Sequence, residues 1–315
     1  MERLNETSIE GFILLGITDL PELQIFLFLI FLMFYVFNLL GNLSIVTLII
    51  VDQSLYKPMY FFLGNLSYLD IFYSTTTVPK MLSGLLLGDK RITTFGCIAQ
   101  LHFFHFLGST EALLLTSMSY DRYVAICNPL RYHVLMARHI CIGLASSCWF
   151  IGFLYSLSQT VITFRLPYCN MKQVAHFYCD IKPVIKLACT NTHLSELLVS
   201  IIFALVAVST FSLIIMSYML IGSHLLNIRS THERWKAFST CTSHITVVFL
   251  YIGTALCTYL GPITQNSLEQ DRISAIVVTV ITPALNPLIY TLRNKEVKRS
   301  LKKFLRGINN CSKFY

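Results

Sequence analysis

Seven apolar runs, each long enough to cross a bilayer, leave this chain little length for anything else. A spanning helix needs about 20 consecutive, mostly apolar residues. Such runs lie at 23–51, 58–82, 97–121, 140–162, 196–222, 237–260 and 272–292 of the 315 residues. The predicted fold class is therefore an all-α membrane protein, a seven-transmembrane helix bundle. The bundle occupies 23–293, between an amino-terminal segment, 1–22, and a tail, 294–315, that holds a short amphipathic helix for the membrane surface. With 55% hydrophobic residues, 13% charged residues and a mean hydropathy of +0.63, the composition lies well outside that of an ordinary soluble domain.

Charge sets the orientation. After Tyr290 the chain carries eight Lys or Arg against the single Glu296, whereas Glu2, Glu6, Glu10, Asp19 and Glu22 face only Arg3 before the first span. The positive-inside bias predicts a cytoplasmic tail and an extracellular amino terminus, as an odd number of spans requires. A basic run that follows a span points to anionic lipid or a partner protein rather than to nucleic acid. No basic segment leads into a short apolar core at the start, so the first span is expected to direct insertion. Asn5-Glu6-Thr7 is a sequon on the outer side, which makes Asn5 the candidate glycan site. The sequons at Asn42, Asn65 and Asn310 fall in spans or in the tail and are expected to stay bare.

At the end of the third run stands Met118 to Tyr132, MSYDRYVAICNPLRY, where Asp121 and Arg122 form a charge pair that packing does not require. Held at the cytoplasmic boundary, such a pair can stay closed or release its arginine to a partner. With Tyr123 and the residues that follow, the stretch resembles the third-helix end of rhodopsin-like G-protein-coupled receptors, and the longer form resembles the odorant receptors. Leu55 to Asp70 (LYKPMYFFLGNLSYLD), His176 to Asp180 (HFYCD), Lys236 to His244 (KAFSTCTSH) and Pro283 to Asn294 (PALNPLIYTLRN) resemble the same family in the same order.

The resemblance implies a receptor that binds a small volatile inside the bundle and activates a stimulatory, olfactory-type G protein, raising cyclic AMP. It implies a switch made of Asp121, Arg122, Tyr123, Tyr218, His244, Asn286, Pro287 and Tyr290. It places the ligand among the third, fifth, sixth and seventh spans. The candidate contacts there are Phe104, His105, Gly108 and Ser109; Ile202, Phe203 and Val206; Tyr251, Ile252, Ala255 and Tyr259; and Ile276 and Thr279. Phe104, Gly108 and Glu111 share one face at helical spacing, though Gly108 suits close helix packing equally well. His105 is open to roles as donor, acceptor or metal ligand. No acid occupies the outer turn of the third span, so the expected ligand is uncharged. One departure stands out. Where the family often reads Phe-Tyr-Gly-Thr this chain reads Tyr251-Ile252-Gly253-Thr254, so either Tyr251 or another residue such as Tyr259 must supply the displaced hydroxyl.

Asp70 and Glu111 lie in mid-span, where an ionised carboxylate costs about 2.5 to 3.5 kcal/mol on insertion scales unless paired or hydrated. Two acids at similar depth suggest a shared proton or a hydrated cation such as sodium; no other cofactor is implied. Asn42 needs a partner on a neighbouring helix. Of ten cysteines, Cys97, Cys169, Cys179 and Cys189 lie on the outer side and permit three pairings. The resemblance implies Cys97 with Cys179 and hence Cys169 with Cys189, which makes the loop from Ile162 to Glu196 a lid over the bundle mouth. Zinc with His176 and His193 fits no common spacing. A transporter would show internal repeats and broken helix pairs, and a membrane enzyme a nucleophile or metal set; neither is in the sequence. A receptor of the same fold for another small ligand is the alternative left.

Overall fold

The computed structural model of the protein describes residues 11–18, 20–169, 172–228, 230–254, 267–293 and 295–311, with the side chains of all of these except 232–233, 235–240, 243, 267–270, 291–293, 295 and 305–311. Asn5, Ala255 and Tyr259 lie outside the described residues. Long helices follow one another: α1 (Pro21–Val51), α2 (Pro58–Leu87), α3 (Thr94–Cys127), α4 (Arg138–Phe164) and α5 (His193–Leu226). Next come α6 (Thr231–Val248, continued by a π turn over Phe249–Gly253) and α7 (Ser267–Ile276, a π turn over Val277–Ile281, then Thr282–Arg293); α8 is Lys295–Cys311.

Local chemistry sets the ends. Pro21 and Pro58 open α1 and α2 at the first turn, where a missing N–H costs nothing. Gly88 closes α2 in the left-handed region at φ +67°, and the Thr93 hydroxyl caps α3 by accepting from Gly96 N at 3.0 Å. By length and composition alone α1, α4, α5 and residues 271–290 are apolar enough to cross a membrane. Their outer faces carry exposed Phe26, Leu29 and Met33 on α1 and Leu205 and Met219 on α5, as lipid-facing surfaces should. Helices α2 and α3 are more polar because they bury Asp70, Glu111 and Asp121 inside the bundle. At the centre, α3 packs against α2, α4, α5 and α6.

A small sheet covers the outer end. Strand β1 (Gly11–Leu14) lies between β2 (Arg91–Thr93), antiparallel with Gly11 opposite Thr93, and β3 (Gln173–Val174), parallel with Leu14 opposite Val174. Nothing in the four residues of β1 announces a strand, because both partners come from distant loops. Gly11 is required there: a β-carbon would collide with the Ile92 carbonyl oxygen. Disulfides join Cys97 to Cys179 and Cys169 to Cys189, with Cα separations of 5.4 and 6.0 Å. At the inner end α8 buries Val297 and packs Leu301 on the bundle, while Lys298, Arg299, Lys302 and Lys303 stay exposed. Lys57 Nζ reaches Glu296 at 2.7 Å, and Tyr60 donates to the same carboxylate at 2.9 Å.

Candidate functional site

A small cavity opens between α3, α4, α5 and α6 below the outer loops, with apolar and aromatic side chains around most of it. Phe104, His105, Gly108 and Ser109 form its α3 wall, Phe203 and Val206 its α5 wall, and Tyr251 and Ile252 its α6 side. Ile202 does not line it. Nor do Ile276, which packs in the bundle core, and Thr279, which is fully buried with its hydroxyl on Ala275 O at 2.7 Å. The sequence reading missed several wall residues. Ala207 and Thr210 each lie four residues after a named one and so share its face. Tyr73 and Tyr155 come from α2 and α4, three residues after Asp70 and in mid-helix; only helix packing brings them in.

The polar groups of the wall are engaged within the protein. Ser109 Oγ donates to His105 O at 2.8 Å and Thr210 Oγ1 to Val206 O at 2.8 Å. Overhead, His105 Nε2 meets Asp180 Oδ1 at 3.0 Å, both side chains buried, so the loop carboxylate holds this histidine at the cavity's roof. Burial works against the Asp180 charge, but the hydrogen bond and charge of His105, the charge of His176 and the Ile181 N–H outweigh it and hold the carboxyl below its usual range. An ionised carboxylate only accepts, so His105 Nε2 carries the proton. His176, stacked on Phe177 at 4.6 Å, is pushed down to about 4 by burial, with the Arg272 charge adding to the effect and Asp180 opposing it. Tyr178 tilts over Phe104 at 4.7 Å, Cys179 N donates to Gln100 Oε1 at 2.9 Å, and Arg272 Nη2 donates to Ala175 O at 3.3 Å. The loop is thus fastened across the cavity mouth from α3 and from α7.

Beneath the cavity lies a polar chamber. Asp70 and Glu111 are fully buried there, and Asn286 Nδ2 donates to Asp70 Oδ2 at 2.9 Å. The Asn286 amide thus crosses to α2 rather than serving backbone groups beside Pro287, because a buried carboxylate is the stronger acceptor. Asp70 Oδ1, both Glu111 oxygens and Asn286 Oδ1 have no hydrogen-bond partner among the described residues. These are hard oxygen donors, the kind that a small hard cation takes. Asn42 Nδ2 bonds Asn38 Oδ1 at 2.6 Å and Pro283 O at 3.2 Å, tying α1 to α7. Pro287 packs against Gly41, where a β-carbon would stand 2.9 Å from the proline ring.

At the inner end Tyr218 Oη and His244 Nδ1 are 2.6 Å apart, joining α5 to α6. Arg122 Nη2, His244 Nε2 and Tyr290 Oη have no hydrogen-bond partner among the described residues. Of the two states open to the Asp121–Arg122 pair, the structure has the open one: among the described residues no ion pair joins them, and Asp121 Oδ1 accepts from Tyr132 Oη at 2.8 Å. Neighbouring residues on a helix point in different directions, so the acid turns to the inner loop and the base into the bundle. Tyr123 packs beside Ile221 and Leu225 of α5. Among the described residues no group of three or more His, Cys, Asp or Glu is arranged to hold a metal.

Comparison with known proteins supplies the context for this geometry. The olfactory receptor family model matches residues 31–307. Olfactory receptor 12D1 of Homo sapiens is 50% identical over 307 residues, covering 96% of each chain. Human olfactory receptor 10G7 is 47% identical, covering 96% of this chain and 97% of its own, and mouse olfactory receptor 8U9 is 44% identical, covering 98% of both. With a helical membrane bundle, a roofed cavity and an agreement that runs almost from end to end, the chain belongs to the olfactory receptor family, whose members are multi-pass G-protein-coupled receptors and not enzymes.

Proposed function

We propose that this receptor takes a small, uncharged odorant into the cavity between α3, α4, α5 and α6 and, in response, activates a stimulatory olfactory-type G protein that raises cyclic AMP. The observation that carries the reading is the cavity itself, roofed by the outer loop and lined, among the described residues, without an acid, lysine or arginine. A charged ligand would meet no counter-ion there, whereas an apolar one with a single polar group meets aliphatic and aromatic walls. Ligand favours the active state by binding it better than the resting one. The amino terminus faces outward and the tail inward, as the charge distribution argues.

The inner surface supports the coupling half. Arg122 Nη2 has no hydrogen-bond partner among the described residues. Beyond it Leu130 is 98% exposed and Val134 71% exposed, apolar side chains on an inner loop that a docked protein would cover. The chamber oxygens of Asp70, Glu111 and Asn286 would hold sodium or one shared proton, stabilising one packing of α2, α3 and α7. Replacing sodium by choline at fixed pH separates the two, since only a sodium site responds.

The test is cyclic AMP in cells that co-express the chain with the olfactory stimulatory G protein, exposed to a mixed odorant panel. Arg122→Ala, matched for surface amount, serves as the control. A response lost in the variant is expected; one that survives unchanged would remove Arg122 from the coupling route.

A further inference from the structure

The cavity floor contains a contact that apolar walls do not require. Tyr251 is buried, and its hydroxyl donates to the Gly108 backbone oxygen at 2.7 Å. Gly108 lies well inside α3, so that oxygen also accepts within the helical ladder, and Tyr251 occupies its second lone pair. A β-carbon on Gly108 would stand 2.9 Å from the Tyr251 oxygen and 3.5 Å from that of Tyr73. The Tyr251 hydroxyl therefore ties α6 to α3 between the ligand space and the chamber, with the Tyr73 hydroxyl of α2 beside the same position.

The backbone is shaped for this. Tyr251 sits in the five-residue π turn Phe249–Gly253. Such i→i+5 turns are rare and occur mostly as single turns inside α-helices. Here the turn sets the sequence neighbours Tyr251 and Ile252 both against the cavity.

We propose that Tyr251 is the residue through which the bound molecule is read, and that the ligand is an apolar molecule with a carbonyl oxygen that takes the Tyr251 proton in place of Gly108. The proposal rests on the reading of the cavity as the odorant site. The exchange strands no buried group: Gly108 O keeps its helical partner, Tyr251 gains a new acceptor, and the ligand oxygen gains a donor. What is lost is the α3–α6 tie. Helix α6 is then free to shift at its inner end, where Cys241 is buried and His244 holds Tyr218. A hydrocarbon of the same shape fills the cavity but offers Tyr251 nothing, and leaves the tie in place.

The experiment reads the inner end directly and does not depend on coupling. The full chain in lipid nanodiscs is treated with a maleimide, and alkylation of Cys241 is followed by peptide mass spectrometry. Tyr251→Phe is expected to speed alkylation at least three-fold without ligand. Gly108→Ala, which crowds the same hydroxyl from α3, should act likewise and stands in if the first variant does not fold. Seven- to ten-carbon ketones and aldehydes should accelerate wild-type Cys241 alkylation while alkanes of matching shape do not, and Tyr251→Phe should erase that difference. Equal rates in wild type and the folded variants, or equal effects of ketone and alkane on wild type, overturn the proposal. Faster alkylation in Tyr251→Phe beside silence in the cyclic AMP assay would sink the coupling reading and leave the tie standing. A ketone response fully retained by Tyr251→Phe would sink the tie and leave the reading.

Discussion

The cavity and the chamber below it are built from the same helices and treat their polar groups in opposite ways. In the cavity wall every named polar side chain has a protein partner: His105 on Asp180, Ser109 on its own helix, Thr210 on Val206, Tyr251 on Gly108. In the chamber and at its inner end, atoms of Asp70, Glu111, Asn286, Arg122, His244 and Tyr290 lack one among the described residues. A buried polar group without a partner costs about 1–3 kcal/mol, more if charged, so a chain that only needed to fold would remove these groups. Satisfied groups fix the shape that a ligand meets. Unsatisfied ones keep a region from settling into a single arrangement, which is what a switch requires.

The largest effect should come from unfastening the roof. Cys97→Ser removes the bridge to Cys179, which closes a loop of 82 residues. In the chain-entropy model such a bridge stabilises by about 4–5 kcal/mol. Most of the chain is expected to fail quality control, read as loss of cell-surface label. Full surface expression and an unchanged odorant response would show that the fixed shape of the cavity does not depend on its roof.

Acid should distinguish the two regions next. His176 stays neutral in the folded chain down to about 4, whereas in the unfolded chain it protonates near its ordinary value of about 6.5. Between those values the unfolded state binds more protons, so stability falls with falling pH, by up to about 3 kcal/mol across the window. Asp180 adds stability at neutral pH that fades only lower, as pH drops through its depressed pKa. Thermal melts in nanodiscs from pH 7 to 4.5 should show the decline. His176→Asn, which keeps an acceptor for Tyr178 N and cannot titrate, should flatten it; an unchanged slope would place the acid sensitivity elsewhere.

Glu111→Gln probes the opposite region with the opposite sign. Replacing a buried, unpartnered carboxylate by a neutral group of the same shape removes a desolvation cost, so the melting temperature in sodium-free buffer should rise by a few degrees while any sodium dependence disappears. A fall in stability would mean that Glu111 has a partner the comparison overlooks.

How much of this could be read from residues alone follows the physics. The long helices were legible because bilayer thickness dictates apolar length, and α1 and α2 begin where Pro21 and Pro58 announce them. The α3 wall was legible because Phe104 and Gly108 repeat at helical spacing, with His105 and Ser109 beside them. Tyr73, Tyr155 and β1 were not, since each acquires its role from an element far away in sequence. Which state Asp121 and Arg122 adopt was not legible, because adjacency in sequence does not set contact and a helix turns neighbours apart. Tyr251 was visible as a departure from the family pattern, yet its attachment to Gly108 needed the π turn, which no residue type announces.

The smallest effect belongs to a strong-looking contact outside both regions. Lys57 bonds both Glu296 oxygens at 2.7 Å, with Tyr60 donating at 2.9 Å, and this clamps α8 to the start of α2. The Lys57 and Tyr60 hydrogen bonds hold the Glu296 carboxyl below its usual range. Yet the two charged side chains are 55% and 51% exposed, so solvent screens the pair, and exposed pairs of this kind are worth about 0–1 kcal/mol. Val297 and Leu301, buried against the bundle, anchor α8 more firmly than the clamp does. Lys57→Ala should therefore shift the melting temperature by no more than a degree or two, and 0.5 M salt should have a similarly small effect on the wild type. A larger loss would mean that α8 depends on its charges rather than its apolar face, and that the inner end is held by a device that neither the roof nor the chamber resembles.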